Sequence, residues 1–405
     1  MTNWQNLDQQ YLMSTYNRLP ITIERGEGNR LIDTEGNSYL DLFTGLAVNV
    51  LGHSHPEIVK TIKEQGEKFL HISNVFLNQP AIQLAQKLVN HSINGKVFFT
   101  NSGAEATEAA LKLIHKWTKE GNKENRGVVV LEKSFHGRTL GALKLTRQPG
   151  VYQDFPVTDM PVYEVEPHNI EQLEEVIKTK NPAAILMEPV LGSGGILPLQ
   201  EEYLQEVSRL AKQYGVLCCM DEIQTGIGRT GKLFAYQHAG ITPDLILFAK
   251  GVGGGLPLGG IIVAEELSHL FRPGDHGTTF APSPLSAALG NTVLRVLLEG
   301  GELDQSVNRS NYLHEKLNEL KEKHPHMITE IRGKGMMVGI VTSLKTEEAK
   351  DLQRNLLEDG YLVDVTQQTI VRLLPPLTLT ESEVNSFVGV FETNLQLVKE
   401  KELKQ

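Results

Sequence analysis

Cysteine is nearly absent: the 405 residues hold two, Cys218 and Cys219, side by side in an apolar run. Adjacent thiols cannot build a disulfide framework or a four-cysteine zinc site, and this setting suits buried thiols in a reducing compartment. Long apolar runs are missing as well, so no stretch approaches a membrane span. The opening "MTNWQNLDQQYLMSTYNRLP" has neither a basic n-region nor an apolar h-region. No signal peptide is read, and the expected location is cytoplasmic, away from membranes. Net positive charge is lacking too. A formal charge of −10 repels phosphate backbones, which argues against nucleic acid as a partner and leaves any anionic small substrate to locally placed arginines. No internal repeat or low-complexity tract occurs.

What is present fits a globular chain with a full core: 40% apolar and 22% charged residues are ordinary proportions. The length exceeds what one core sustains, so two domains are expected. Short apolar runs alternate with helical patterns, the signature of an α/β chain with a largely parallel sheet. The strands are read at "KVFFT" (96–100), "GVVVLE" (127–132), "AAILMEPV" (183–190), "GVLCCMDE" (215–222) and "DLILFA" (244–249). Between the first two, Ala106, Ala109, Ala110, Leu113, Ile114 and Trp117 recur at three and four and predict an amphipathic helix. A second helix, "EEYLQEVSRLAKQYG", precedes the cysteine strand. Beyond residue 285, "SAALGNTVLRVLLEGG" and "SNYLHEKLNELKEKH" read as helices and "GMMVGIV" and "TIVRLLPP" as strands, a smaller α+β domain. Near the N-terminus, "RLIDTEGNSYLDLF" reads as a hairpin turning at Glu35-Gly36-Asn37. The expected organisation is an N-terminal segment over 1–59 that contributes to the small domain, a large domain over 60–285, and the C-terminal small domain over 286–405.

Two motifs fail in context. "GIGRTG" (226–231) matches a dinucleotide fingerprint, but "DEIQT" separates it from the strand and no long helix follows. With Lys232 it nearly spells a P-loop, yet Leu233 stands where Ser or Thr must hold Mg²⁺. "HSHP" offers His53 and His55 without a third regularly spaced ligand, so a structural role in a loop is expected and no metal is assigned.

The remaining motifs converge on one chemistry. Lys250 ends the apolar run "DLILFA" and opens the glycine loop "KGVGGG". A lysine there is either a snorkelling strand end or a desolvated amine free to form a Schiff base. "KVFFT" runs into "NSGAEA", where Ser102 and Glu105 predict a capping box and Gly103 and Ala104 leave first-turn amides unobstructed, a cradle for phosphate at a helix N-terminus. Asp221 ends "VLCCMD", and Gln224 follows three residues later. A phosphate cradle, a carboxylate and a lysine at the carboxyl ends of parallel strands describe a pyridoxal phosphate site.

The motifs "NSGAEATEAALK", "SFHGRT", "MDEIQTGIGRTGKLFAYQHAGITPDLILFAKGVGGGLPLGG", "HGTTF" and "VRLLPPL" resemble the class III aminotransferases, and within that family the branch whose amino donor is N-acetylornithine. The likeness spans nearly the whole chain. It implies a fold type I pyridoxal phosphate enzyme, a homodimer with shared active sites, that moves a δ-amino group from N-acetylornithine or a similar N-acyl diamino acid to 2-oxoglutarate by a ping-pong scheme. Ornithine, 4-aminobutyrate or N-succinyl-diaminopimelate as donor remains open. The resemblance implies that Lys250 carries the Schiff base and moves the proton, Asp221 pairs with the pyridinium nitrogen, and Gln224 approaches the ring hydroxyl. It implies Phe135 and Ile223 on the two ring faces, and Ser102, Gly103, Ala104 and the other subunit's Thr279 at the phosphate. Arg138 and Arg372 match carboxylate-holding positions, and Glu188 matches a position within the site.

Three departures from the family pattern bear on the substrate. Where the family reads E-P-x-Q-G-E-G-G, this chain has "EPVLGSGG", with Ser193 replacing the second glutamate. That acid normally sits near the carboxylate-binding arginine, so Arg372 is expected to be less well neutralised. Ala281 to Pro284 replace the common G-G-N-P. Leu46 stands where ornithine aminotransferases carry tyrosine, which favours an acylated donor.

Overall fold

A computed structural model describes residues 4–121, 126–153, 155 and 160–403. Its centre is a seven-stranded sheet in the order Gly95–Thr100, Gly259–Ala264, Leu245–Phe248, Leu217–Asp221, Ala184–Met187, Val128–Leu131, Val162–Val165. Every pairing within it is parallel except those of Gly259–Ala264, which runs against both neighbours. The five expected strands are all present. Alternate residues serve opposite faces: Cys218, Met220, Ile246 and Phe248 enter one apolar cluster, and Leu217, Cys219, Leu245 and Leu247 the other. That is why the strands read as unbroken apolar runs, as expected of a sheet covered by helices on both sides. It also points the adjacent cysteines to opposite faces, and burial pushes the Cys218 thiol up to about 12.

The strand Gly259–Ala264 was not expected, because its first residues read as the end of a glycine loop. The glycines are there for proximity. A Cβ on Gly260 would lie 2.5 Å from the Phe98 carbonyl oxygen and 2.7 Å from the Phe248 ring, so only glycine lets this strand close the sheet.

The predicted helices form at Gly103–Glu120 and Glu201–Tyr214, the second ending at Gly215 in a left-handed conformation (φ +63°) that glycine adopts without strain. Beyond the large sheet, Ile328–Lys334, Met337–Thr342, Ile370–Leu373 and Asp364–Thr366 form an antiparallel sheet beside the helices Glu302–Lys323, Thr346–Glu358 and Glu381–Leu403. The N-terminal hairpin, Arg30–Asp33 with Ser38–Asp41, joins a further sheet through parallel pairing of Ser38–Asp41 with Tyr361–Leu362. The first and last parts of the chain thus meet. His53 Nε2 lies 2.8 Å from Asp41 Oδ2, and His55 Nδ1 accepts the Glu57 N–H at the start of the helix Pro56–Gly66. Both histidines of "HSHP" are therefore engaged locally.

Candidate active site

The parallel strands bring their carboxyl ends to one edge, and there lies a cavity of about 710 Å³. Asp221 closes its strand, Lys250 follows Leu245–Phe248, and Ser102 caps the helix that follows Gly95–Thr100. A second hollow of about 740 Å³, between Leu19–Ile21 and the helix Thr346–Glu358, contains none of these groups.

The cavity gathers Ser102, Gly103, Ala104, Phe135, Arg138, Glu188, Asp221, Ile223, Gln224, Lys250 and Arg372, with Leu46 and Ser193. Of the residues singled out from sequence, Thr279 stands apart. It is exposed and does not line this cavity.

Lys250 has φ +52°, a left-handed conformation costly for a residue with a side chain and concentrated at functional sites. The residue is half-buried and lines the cavity, and desolvation pushes its pKa down to about 8. The carboxylates of Asp221 and Glu188 oppose that shift, whereas Arg372 and Arg229 add to it. Asp221 is 3% exposed; its Oδ2 lies 2.7 Å from His136 Nδ1, and its Oδ1 accepts the Ile223 N–H at 3.1 Å. His136 has no role in the sequence reading, although it lies inside "SFHGRT". A histidine beside an aromatic residue carries no signal of its target until the fold brings Asp221 to it.

Ser102 Oγ accepts the Glu105 N–H at 3.2 Å. The expected capping box is not reciprocal: Glu105 Oε2 takes the Asn101 N–H and the Asn101 side-chain amide instead, at 2.8 and 2.9 Å. The amides of Gly103 and Ala104 belong to a first turn that has no helical acceptor. Gly103 is required by contact, since a Cβ would lie 2.8 Å from Ile223 Cγ2. Glu188, pushed up to about 7 by burial, accepts the N–H groups of Phe135 (2.8 Å) and Gly192 (3.2 Å) and so fastens the two loops that frame the cavity.

Arg372 corrects an expectation. Despite Ser193 it is well neutralised: Asp364, directly opposite on the neighbouring strand, accepts from Nε at 2.8 Å and lies 2.6 Å from Nη2. The sequence signal was an acid and an arginine eight residues apart across the turn "TQQT", a spacing that places them opposite each other only once the hairpin register is known. Arg138, by contrast, is exposed; its guanidinium lies over the Phe135 ring, 5.8 Å from the centroid.

These residues fit pyridoxal phosphate. Among the described residues, Gln224 Oε1 and His136 Nε2 are buried without a hydrogen-bond partner, the helix start offers first-turn amides, and the half-buried amine and the buried acid share one cavity. The Aminotransferase class-III family profile matches residues 11–395. The acetylornithine aminotransferase of Caldanaerobacter subterraneus subsp. tengcongensis is 41% identical over 394 residues, covering 97% of this chain and 99% of that one. Among solved structures, the ornithine aminotransferase of Toxoplasma gondii, seen with partial occupancy of PLP at its active site, superposes with a TM-score of 0.93 at 28% identity, covering 98% and 95% of the two chains. The acetylornithine aminotransferase of Elizabethkingia anophelis does so with a TM-score of 0.86 at 31% identity, covering 97% and 98%. A fold type I scaffold that ends its strands on a desolvated lysine and a buried aspartate thus meets a family likeness running almost end to end, and the chain belongs to the class-III aminotransferases, enzymes dependent on pyridoxal phosphate.

Proposed function

We propose that this aminotransferase moves the δ-amino group of N-acetylornithine, or a similar N-acyl diamino acid, to 2-oxoglutarate, yielding a semialdehyde and glutamate in two half-reactions. The observation that carries this reading is the full-length likeness to acetylornithine aminotransferases. Leu46 supports it: at the mouth of the cavity it offers an apolar side chain in a left-handed turn (φ +67°), with no hydroxyl to meet a free α-amine.

Pyridoxal phosphate, when bound, supplies the carbonyl that takes up the amino group and a conjugated ring that accepts electrons as a C–H bond breaks. Lys250 Nζ, neutral in a larger fraction than an exposed lysine, would hold the cofactor and move the proton from the donor's amine-bearing carbon. The Asp221 carboxylate, steadied by His136, would face the ring nitrogen and favour its protonated form. Phe135 and Ile223 would confine the ring plane, and Gln224, whose Oε1 is buried without a partner, would approach the ring hydroxyl. Ser102, Gly103 and Ala104 receive the phosphate. Arg138 takes the carboxylate far from the ring, and Arg372 the one near it that only the dicarboxylic acceptor brings; Glu188 acts through the loops that it fastens.

The assembly in this reading is a homodimer in which Thr279 reaches the partner's phosphate site. Val75, Phe76 and Leu77 are 83%, 68% and 88% exposed, and Asn74 donates to the carbonyls of Thr278 and Ala281, so the Thr279 loop adjoins an apolar surface that calls for cover. The pairing of the N-terminal hairpin with Tyr361–Leu362 supports a division into a large domain over 60–285 and a small one built from 1–59 and 286–405. Among the described residues no helix is long and apolar enough to cross a membrane.

An amino-donor panel with 2-oxoglutarate, scored by glutamate formation, tests the substrate. N-acetylornithine should lead it by at least about tenfold in kcat/KM. A lead by ornithine, 4-aminobutyrate or N-succinyl-diaminopimelate would replace the donor while leaving the chemistry intact.

A further inference from the structure

Arg372 lies against a different kind of counter-ion from the one its family pattern supplies. The position of the missing glutamate is Ser193, and its backbone is tied down: Ser193 O accepts from Gln367 Nε2 at 2.8 Å and from Thr366 Oγ1 at 3.3 Å. The loop there carries no charge, and its carbonyl is anchored to the hairpin that bears Asp364. Asp364 itself does not line the cavity, whereas Arg372 does. The carboxylate therefore grips the guanidinium from behind. Its Oδ2 serves both Nε and Nη2, and among the described residues Nη1 has a long bond, 3.3 Å, to Gly192 O. The Arg372 side chain is 8% exposed and that of Asp364 25%. The acid is the member of the pair that faces water.

We propose that Asp364 is a standing counter-ion for Arg372, a positioning residue that orients the guanidinium toward the cavity and partly neutralises it through both half-reactions, in place of the acid that the family pattern puts at the position of Ser193. Strand pairing holds both residues: Asp364 faces Arg372 and Val365 faces Val371 in the same ladder. Such a pair has no loop to swing on. A donor with one carboxylate and a neutral acyl group then meets an arginine whose charge is already partly balanced, so no acid at the position of Ser193 is needed. A dicarboxylic 2-oxo acid meets the guanidinium corner that Asp364 does not occupy. The compensation has a consequence for selectivity: the second carboxylate of the acceptor is recognised more weakly than an unpaired arginine would recognise it. This rests on the reading that Arg372 receives that carboxylate.

The test is calorimetric titration of the holoenzyme with glutarate, a dicarboxylate without an oxo group, and with butyrate, which has a single carboxylate. Asp364→Asn keeps an acceptor oxygen and removes the charge. It should bind glutarate about tenfold more tightly than the wild type, the scale of one unit charge acting over several ångströms through a partly screened interior, and leave butyrate within twofold. Asp364→Glu, which restores the charge, should return glutarate affinity to within about threefold of the wild type. Asp364→Ser also removes the charge and replaces the Asn variant if that protein does not fold. Unchanged or weaker glutarate binding in the charge-removing variants would overturn the proposal and make Asp364 a strand-pairing residue alone. Arg372→Gln tests the receptor itself. It should abolish the preference for glutarate over butyrate; a preference that survives would remove Arg372 as the receptor and the proposal with it, whatever Asp364 does.

Discussion

The two ends of the cavity are made from different parts and obey different electrostatics. At the proposed cofactor end, a lysine and an aspartate follow two neighbouring parallel strands and a helix start follows Gly95–Thr100, beyond the antiparallel Gly259–Ala264; burial pushes the Lys250 amine down to about 8, and Asp221 is enclosed with His136 at 2.7 Å. At the proposed substrate end, Arg372 comes from an antiparallel hairpin, and its charge is met by Asp364 in the next strand. One end depends on desolvation and the other on compensation. Groups of the first kind are expected to be intolerant of change because nothing nearby replaces them, whereas a compensated pair can be retuned.

The largest effect should come from Lys250→Ala. Turnover should fall by at least about 10⁴-fold, the scale for losing a group that both binds covalently and transfers a proton. Borohydride reduction of the wild-type holoenzyme and peptide mapping should leave the pyridoxyl label on Lys250, and a label elsewhere would unseat the assignment. The same residue gives a pH signature. Because its pKa is lowered to about 8, the reactive neutral amine accumulates as pH rises through 8. Cofactor uptake by the apoprotein should accelerate through that range, and a rate that keeps climbing toward the pH of an exposed lysine would show that the amine is solvated.

Asp221→Ala should lower turnover by about 10² to 10³-fold with the circular dichroism spectrum retained. Near-normal turnover would reduce Asp221 to an anchor for His136. At the other end, Arg372→Ala should damage the 2-oxoglutarate half-reaction more than the donor half-reaction, by roughly 2 kcal/mol, the lower part of the range for truncating a buried charge pair, because Asp364 already balances part of the charge. Single-turnover absorbance traces follow the halves separately, and equal losses would mean that the two ends are not divided as described. The smallest effect is expected of Ser102→Ala. Losing the cap on the Glu105 N–H should cost about 1 kcal/mol of stability, seen as a lower thermal midpoint; an unchanged midpoint would show that the Asn101–Glu105 contacts suffice to hold the helix start.

Legibility followed the range of the forces involved. Strands buried on both faces announce themselves as apolar runs, helices as apolar residues at three and four, and strand-end residues follow directly from where those runs stop. Lys250, Asp221, Ser102, Gly103 and Gln224 were therefore within reach of the sequence alone, as was the α/β class. The strand Gly259–Ala264 was hidden because close approach to Phe98 and Phe248 demands glycines that locally signal a loop. His136 and Asp364 were hidden for another reason. A buried polar group is defined by its partner, and their partners lie 85 and 8 residues away, across the sheet in one case and across a hairpin in the other. The sequence by itself determined which residues carry reactive chemistry, because amine, carboxylate and guanidinium are properties of the side chain. The tertiary structure alone decided how much of each charge is left to act, because desolvation and pairing depend on what folds against it.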